Sequence, residues 1–302
     1  MYSVLIVAYK RPHLLREIVE SVPSFVKNIY IHVDLSPQTD NLNSEVIRVA
    51  KEVSRANSRI STMVAPVNLG PGRAIPKAIT WALEDCESLL ILEDDCLPNP
   101  YAYEYFRRTE NYISENFIIC GTSPYDFQEN RQGQAVHTTS SYALVSGWMI
   151  GSRTWQELNI DSALTLSYWR ILGKSLRNPH LLLPLSFFYA SIIRIRRGEI
   201  QAWDSMFCLS MIMHGIHSLI PNVTVIDNLG FDFVASNTKA AMNHESNVYN
   251  KSSDAEPSHG VDLSRKARRR TDSLIEKSIY NLRLRNYLSP AKSSLRAFRG
   301  TH

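Results

Sequence analysis

The sequence is poor in cysteine, with four in 302 residues: Cys86, Cys96, Cys120 and Cys208. None forms a C-x-x-C pair, which excludes a zinc knuckle, a dithiol redox motif and a disulfide-stapled scaffold. Long apolar runs are also missing. The stretch from Leu181 to Ile193 is interrupted by Pro184 and Ser186, and falls short of the roughly 20 residues a bilayer span needs. It reads as a buried helix or the wall of a binding site rather than an interfacial segment. Neither the Walker nor the dinucleotide glycine pattern is present, and no internal repeat is visible. Before the apolar Val4–Ala8 there is no basic leader and no small-residue cleavage site. A cytoplasmic protein with reduced thiols is therefore expected.

Excess charge is small too. Lys and Arg number 33 against 29 Asp and Glu, a formal +4, and hydrophobic residues make up 44%. Such composition excludes disorder of the whole chain. The charge is unevenly spread: residues 261–302 hold eleven basic and three acidic residues, leaving 22 basic and 26 acidic in residues 1–260. A mildly acidic body with a basic tail excludes a chain-wide nucleic-acid footprint, and no nucleic-acid partner is expected.

The first 95 residues alternate strand and helix signals. Strands are predicted at Val4–Ala8, Ile29–Val33, Ile60–Val64 and Leu89–Leu92, with helices from Arg11–Pro12 to Ser21, about Ser44 to Arg55, and Ala74 to Leu83. Repeated β-α-β implies a mostly parallel sheet whose ligands bind at the carboxyl ends of the strands. Polar residues occupy those ends: Tyr9–Arg11, Asp34, Asn68 and Glu93–Asp95. Further on, Thr138 to Ile150 reads as strand with a turn at Ser146–Trp148. Gln201 to Met213 reads as helix and Ser218 to Val225 as strand. Residues 236–260 read as a flexible loop, and 261–302 as a basic, amphipathic helical tail.

Three acids directly after a buried strand are costly without a compensating cation or ligand. Carboxylates suit Mg²⁺ or Mn²⁺, which take oxygen donors and are often shared with a diphosphate. An acidic turn capping a helix near Pro100 is the competing reading of Glu93–Asp95. Asp204, beside Trp203, is a candidate general base, or else an ordinary helix cap. Gly70 and Arg73 lie in a loop that can offer amides and a guanidinium to phosphates. Arg11, next to the first strand end, can pair a phosphate or be a solvated first-turn arginine.

The ordered segments Val4–Arg11, His32–Asp34, Thr80–Leu83, Glu93–Asp95 with Pro100 and Tyr105–Phe106, Gly147–Trp148, Trp203–Asp204 and Asn228–Phe231 resemble the GT-A nucleotide-sugar glycosyltransferases. The likeness is to N-acetylglucosaminyltransferase I-like and bacterial family-2-like enzymes. It implies an α/β, Rossmann-like mixed sheet over residues 1–235, with a nucleotide-binding half (1–95) and an acceptor half (96–235). It implies that Ala8, Tyr9, Arg11 and Asp34 line the nucleotide pocket, with Asp34 on uracil or ribose. Glu93 and Asp94 then touch ribose or donor sugar, Asp95 ligates the metal, and Asp204 is the base. The activity implied is metal-dependent, inverting transfer from a UDP-sugar to a glycan or lipid-linked glycan in surface polysaccharide synthesis.

Two rival readings are weaker. A sugar-nucleotide nucleotidyltransferase opens with a Gly-rich loop, whereas Tyr9–Pro12 has no glycine. An inactive glycan-binding scaffold has no need of both the acidic triplet and Asp204. The basic tail is expected to allow peripheral contact with an anionic membrane, since each Lys or Arg near such a surface contributes about 1 kcal/mol. Its competing reading is a solvated extension.

Overall fold

The computed structural model describes residues 1–38, 40–124, 136–229 and 256–277. The segments expected to form a loop at 236–255 and the tail end at 278–302 lie outside the described residues, as do Gly230 and Phe231. Strands β1 (Ser3–Ala8), β2 (Ile29–Val33), β3 (Ile60–Val64) and β4 (Ser88–Glu93) are parallel neighbours in the order β3-β2-β1-β4. Their continuous apolar runs suit strands covered on both faces. Helices α1 (Pro12–Ser21) and α2 (Asn41–Ala56) cover one face, and α3 (Pro71–Ala82) the other.

Two helices begin earlier than their apolar spacing suggests. Asp40 caps α2 by accepting from the Asn43 N–H, which moves the start back to Asn41. Pro71 sits in the first turn of α3 behind Gly70, where a missing N–H costs nothing.

Beyond β4 come β5 (Cys96–Pro98), α4 (Ala102–Thr109), β6 (Phe117–Cys120), β7 (His137–Ser140) and β8 (Trp148–Gly151). Helices α5 (Ser152–Leu158), α6 (Tyr168–Arg177), α7 (Leu182–Arg196) and α8 (Trp203–His214) follow, then β9 (His217–Ile220), β10 (Ile226–Asn228) and β11 (Val261–Asp262). The main sheet runs β11-β7-β9-β6-β8-β4-β1-β2-β3. Strand β8 is antiparallel to β4 and β6, and β7 to β9. The sheet is thus mixed and mostly parallel with helices on both faces, as expected.

The strand-like stretch 138–150 proves to be two strands that never pair, because β6 and β9 insert between them. Likewise, of the strand expected at 218–225 only residues 218–220 are extended, in β9; the next strand, β10, starts at Ile226 and pairs with β5 instead. Gly147 makes the turn into β8 at φ +68°, and a Cβ there would lie 2.6 Å from Ile226. Only glycine meets both demands.

Helix α8 buries nine of its 12 residues. Trp203, Phe207 and Met211 face the sheet, while Met206, Leu209 and Ile212 face α6 and α7. A helix apolar all round is one enclosed on both sides. The chain after residue 260 returns to this body: β11 pairs with β7, and a helix over residues 265–277 (α9) packs Ile275 into the α6–α8 core. Buried Asp272 fastens α9 by accepting from the Ser140 and Ser141 hydroxyls and the Ser141 N–H at 2.7–2.9 Å.

His32, wholly buried on β2, has no hydrogen-bond partner on either ring nitrogen among the described residues. Burial lowers it from 6.5 to about 4, although Asp34 opposes the shift; Lys77 adds to it. Between those values the unfolded chain binds more protons. Stability is therefore complete above about pH 6.5 and declines as pH falls toward 4. His32→Leu should flatten part of that decline and raise neutral-pH stability by about 1–2 kcal/mol. Urea titrations across this pH range would show it; an unchanged pH slope would exclude His32 as a source.

Candidate active site

The carboxyl ends of β1, β2 and β4 meet in one crevice, and two carboxylates tie them together. Asp94, just past β4, accepts from the Tyr9 N–H (2.8 Å) and Lys10 N–H (3.2 Å) on one oxygen, and from Arg11 Nη1 (2.7 Å) on the other. Asp34, just past β2, accepts from the N–H groups of Leu35 (3.0 Å), Leu69 (2.9 Å) and Gly70 (2.9 Å). The strand ends are thus held by buried charge-assisted bonds, the stronger kind. Asn43 adds a third tie, its amide donating to the carbonyls of Tyr9 and Asp34, both at 2.8 Å. Ala8 is buried, and its carbonyl accepts from the Asp34 N–H.

Asp34→Ala would strand the Leu69 and Gly70 amides. We expect a loss of about 2–4 kcal/mol in denaturant unfolding, with Asp34→Asn recovering part of it. Equal stability of the two variants would contradict this anchoring.

Glu93 and Asp95 point to the chemistry. Cross-strand register aligns His32, Val7 and Glu93 on one face of the sheet, the face that also carries Leu5, Ile91 and Trp148 and that α8 covers. Burial raises the Glu93 carboxyl to about 8, with Asp95, Asp94 and Asp204 adding to the effect and Arg11 opposing it. Burial also raises Asp95, despite Arg11 Nη1 at 3.4 Å from its carboxylate. The concentration of negative charge exceeds what one guanidinium offsets.

Asp204 reaches this crevice because of its neighbours. Trp203 stacks on Trp148 of β8 (centroids 5.8 Å apart) and packs against Phe207. That fixes the first turn of α8 at the strand ends, with Asp204 exposed and acting electrostatically on Glu93. Gln201, just before α8, lies across Gly70 and Gly72 at the start of α3. Gly70 has φ +68°, and any Cβ there would collide with the Gln201 carboxamide. Arg73 is exposed on the first turn of α3.

The structure therefore gathers Tyr9, Arg11, Asp34, Gly70, Glu93, Asp94, Asp95 and Asp204 around adjoining strand and helix ends. Asn43 and Gln201 belong to the same surroundings but carry no sequence motif. Leu229 N–H donates to the Asp95 carbonyl, and Asn228 to the Ser146 hydroxyl, so β10 closes the far side. His244, in the segment expected to be a loop at 236–260, lies outside the described residues.

Among the described residues no group of three or more His, Cys, Asp or Glu side chains could hold a metal ion. A divalent cation nonetheless fits the donor chemistry here. Mg²⁺-type ions commonly take one or two carboxylates and complete their shell with phosphates and water, and a cation would relieve the elevated Glu93 and Asp95.

Residues 3–197 match the model of glycosyl transferase family 2. None of the curated proteins matches the chain. Remote likenesses among solved structures include the mannosyltransferase PcManGT of Pyrobaculum calidifontis in complex with GDP-Man and Mn²⁺. It is 12% identical, with 70% of this chain and 86% of that chain covered and a TM-score of 0.40. Mouse xyloside xylosyltransferase 1 is 10% identical, covering 70% and 80%, at a TM-score of 0.36. Mannose-1-phosphate geranyltransferase of Thermus thermophilus is 13% identical, covering 71% and 68%, at 0.33.

Proposed function

The chain belongs to glycosyl transferase family 2, and from that premise we propose metal-dependent, inverting transfer of a sugar from a nucleotide diphosphate. The donor is taken as a UDP-linked hexose or N-acetylhexosamine. The acceptor is a glycan or lipid-linked glycan in surface polysaccharide synthesis at the cytoplasmic side of the membrane. The observation that carries this reading is the proximity of Asp204, exposed on α8, to the buried acidic end of β4.

In this reading Ala8, Tyr9, Arg11 and Asp34 surround the nucleoside, while Gly70 and Arg73 border the phosphates. Glu93 and Asp94 face ribose or donor sugar, and Asp95 holds Mn²⁺ or Mg²⁺ together with the diphosphate. The bound cation supplies Lewis-acid stabilisation of the leaving diphosphate. Asp204 accepts the proton of the acceptor hydroxyl as its oxygen bonds to the anomeric carbon. The bond from that carbon to the diphosphate oxygen breaks, releasing nucleoside diphosphate. With one base and no covalent sugar intermediate, the anomeric configuration inverts.

The stereochemical part is tested by proton NMR of product formed from an α-linked donor. A β-anomeric signal is expected. An α-linked product would overturn the single-displacement mechanism while leaving the donor class intact.

A further inference from the structure

We propose that the α6–α7 hairpin, together with the outer face of α9, is a docking surface for an anionic lipid bilayer. This goes beyond the catalytic reading and does not depend on it. Helix α6 buries only Ile171 and Ser175 of its ten residues. On its outer side Trp169 is 76% exposed and Leu176 74%, and Leu183 at the start of α7 is 68% exposed. Trp169 and Leu176 are seven residues apart and share one helix face. Single exposed apolar residues are ordinary, whereas several large ones on a single hairpin mark an interaction site.

Charge identifies the occupant. Residues 162–198 contain six Lys and Arg and no Asp or Glu. Arg170 and Arg177, each next to an exposed anchor, are themselves exposed. Helix α9 continues the cationic surface, with Arg265, Lys266, Arg269 and Arg270 turned outward and Thr271, Asp272 and Ile275 inward. The two helices are neighbours: Ile275 shares a core with Ile171, and Lys174 and Arg268 both act electrostatically on His217.

An aromatic and aliphatic face bordered by basic side chains is the pattern of a helix lying in a membrane interface. Glu199 pairs with Arg194 and Arg197, which leaves Arg170, Arg177 and the outward residues of α9 as the exposed cations; a second copy of the chain fits poorly, because a two-fold contact would set these against themselves. Among the described residues no helix is long and apolar enough to cross a membrane, so the contact is interfacial. Helix α7 ends seven residues before α8 begins at Trp203, so the docked surface is covalently close to Asp204.

Co-sedimentation of the full chain with vesicles tests the proposal, using phosphatidylcholine alone and phosphatidylcholine mixed with phosphatidylglycerol. Binding is expected only to the mixed vesicles, and should weaken as salt rises. Trp169→Ser with Leu183→Ser, and separately Arg170→Glu with Arg177→Glu, should each reduce affinity about tenfold or more. All four residues are exposed, so melting curves by circular dichroism should match wild type; Arg170→Lys with Arg177→Lys should retain binding. Absence of binding by the wild type, or undiminished binding by either exchanged pair, would overturn the proposal. So would a wild-type dimer in sedimentation velocity that Trp169→Ser converts to monomer.

Discussion

Asp204→Asn is expected to leave donor binding within about twofold of wild type while lowering turnover about 10²–10⁴-fold. The asparagine keeps size and hydrogen-bonding reach in the first turn of α8 but cannot take a proton. Trp203, stacked on Trp148 and packed against Phe207, still fixes the helix end, so the substitution should not move the strand ends of the crevice. Asp204→Ala should behave alike. Single-turnover kinetics with saturating donor, beside calorimetric donor binding, separate the two effects. Undiminished turnover would remove Asp204 as the base.

The second large effect concerns Asp95. Asp95→Ala should abolish cation-dependent donor binding, a loss of about 100-fold or more, since one of the few carboxylates available to the ion is gone. Stability of the ligand-free protein should stay level or rise. Asp95 is the largest charged contributor to the elevated Glu93 carboxyl, and its own carboxyl is raised by burial. Removing it relieves repulsion between close like charges. Lost binding with retained stability distinguishes a ligand residue from a structural one. A simultaneous collapse of stability would mark Asp95 as part of the scaffold instead, tied through its carboxylate to Arg11 and the Cys96 thiol.

Much of the first 95 residues was legible because their signals are local. Val4–Ala8, Ile29–Val33 and Leu89–Leu92 are buried on both faces, and such runs declare themselves without knowledge of their partners. The acidic end of β4 was visible for the same reason, since acids after a buried strand demand an explanation. The chain after residue 95 depends on through-space order. Nothing in residues 138–150 reveals that β6 and β9 separate β7 from β8. Gln201 gains meaning only from the glycines it covers, and Asn43 only from the two carbonyls it bridges. The run 181–193 was expected to be buried or to wall the acceptor site. Helix α7 does bury Leu185, Phe188 and Ile192, yet it leaves Leu182 and Leu183 exposed. Apolar content alone cannot tell those faces apart; the helices packed against them decide it.

The same division holds for charge. The basic tail looked separate from an acidic body. In the structure its first part is docked, with Asp272 and Thr271 buried against β7 and the arginines turned out. Thr271, Asp272 and Glu276 attach it, since Tyr142 also donates to Glu276.

The central claim is that the strand ends around Asp34, Asp94 and Asp95 form a cation-dependent nucleotide-sugar site. Thermal unfolding of the full chain with a panel of nucleotide-diphosphate sugars, each with and without Mn²⁺, tests it most directly. Ligand bound at 100 times its dissociation constant adds about 2.7 kcal/mol. A clear rise in melting temperature is expected for at least one donor, with UDP-sugars foremost, only when Mn²⁺ is present, and none in Asp95→Ala. No stabilisation by any donor with the cation, or equal stabilisation without it, would contradict the account.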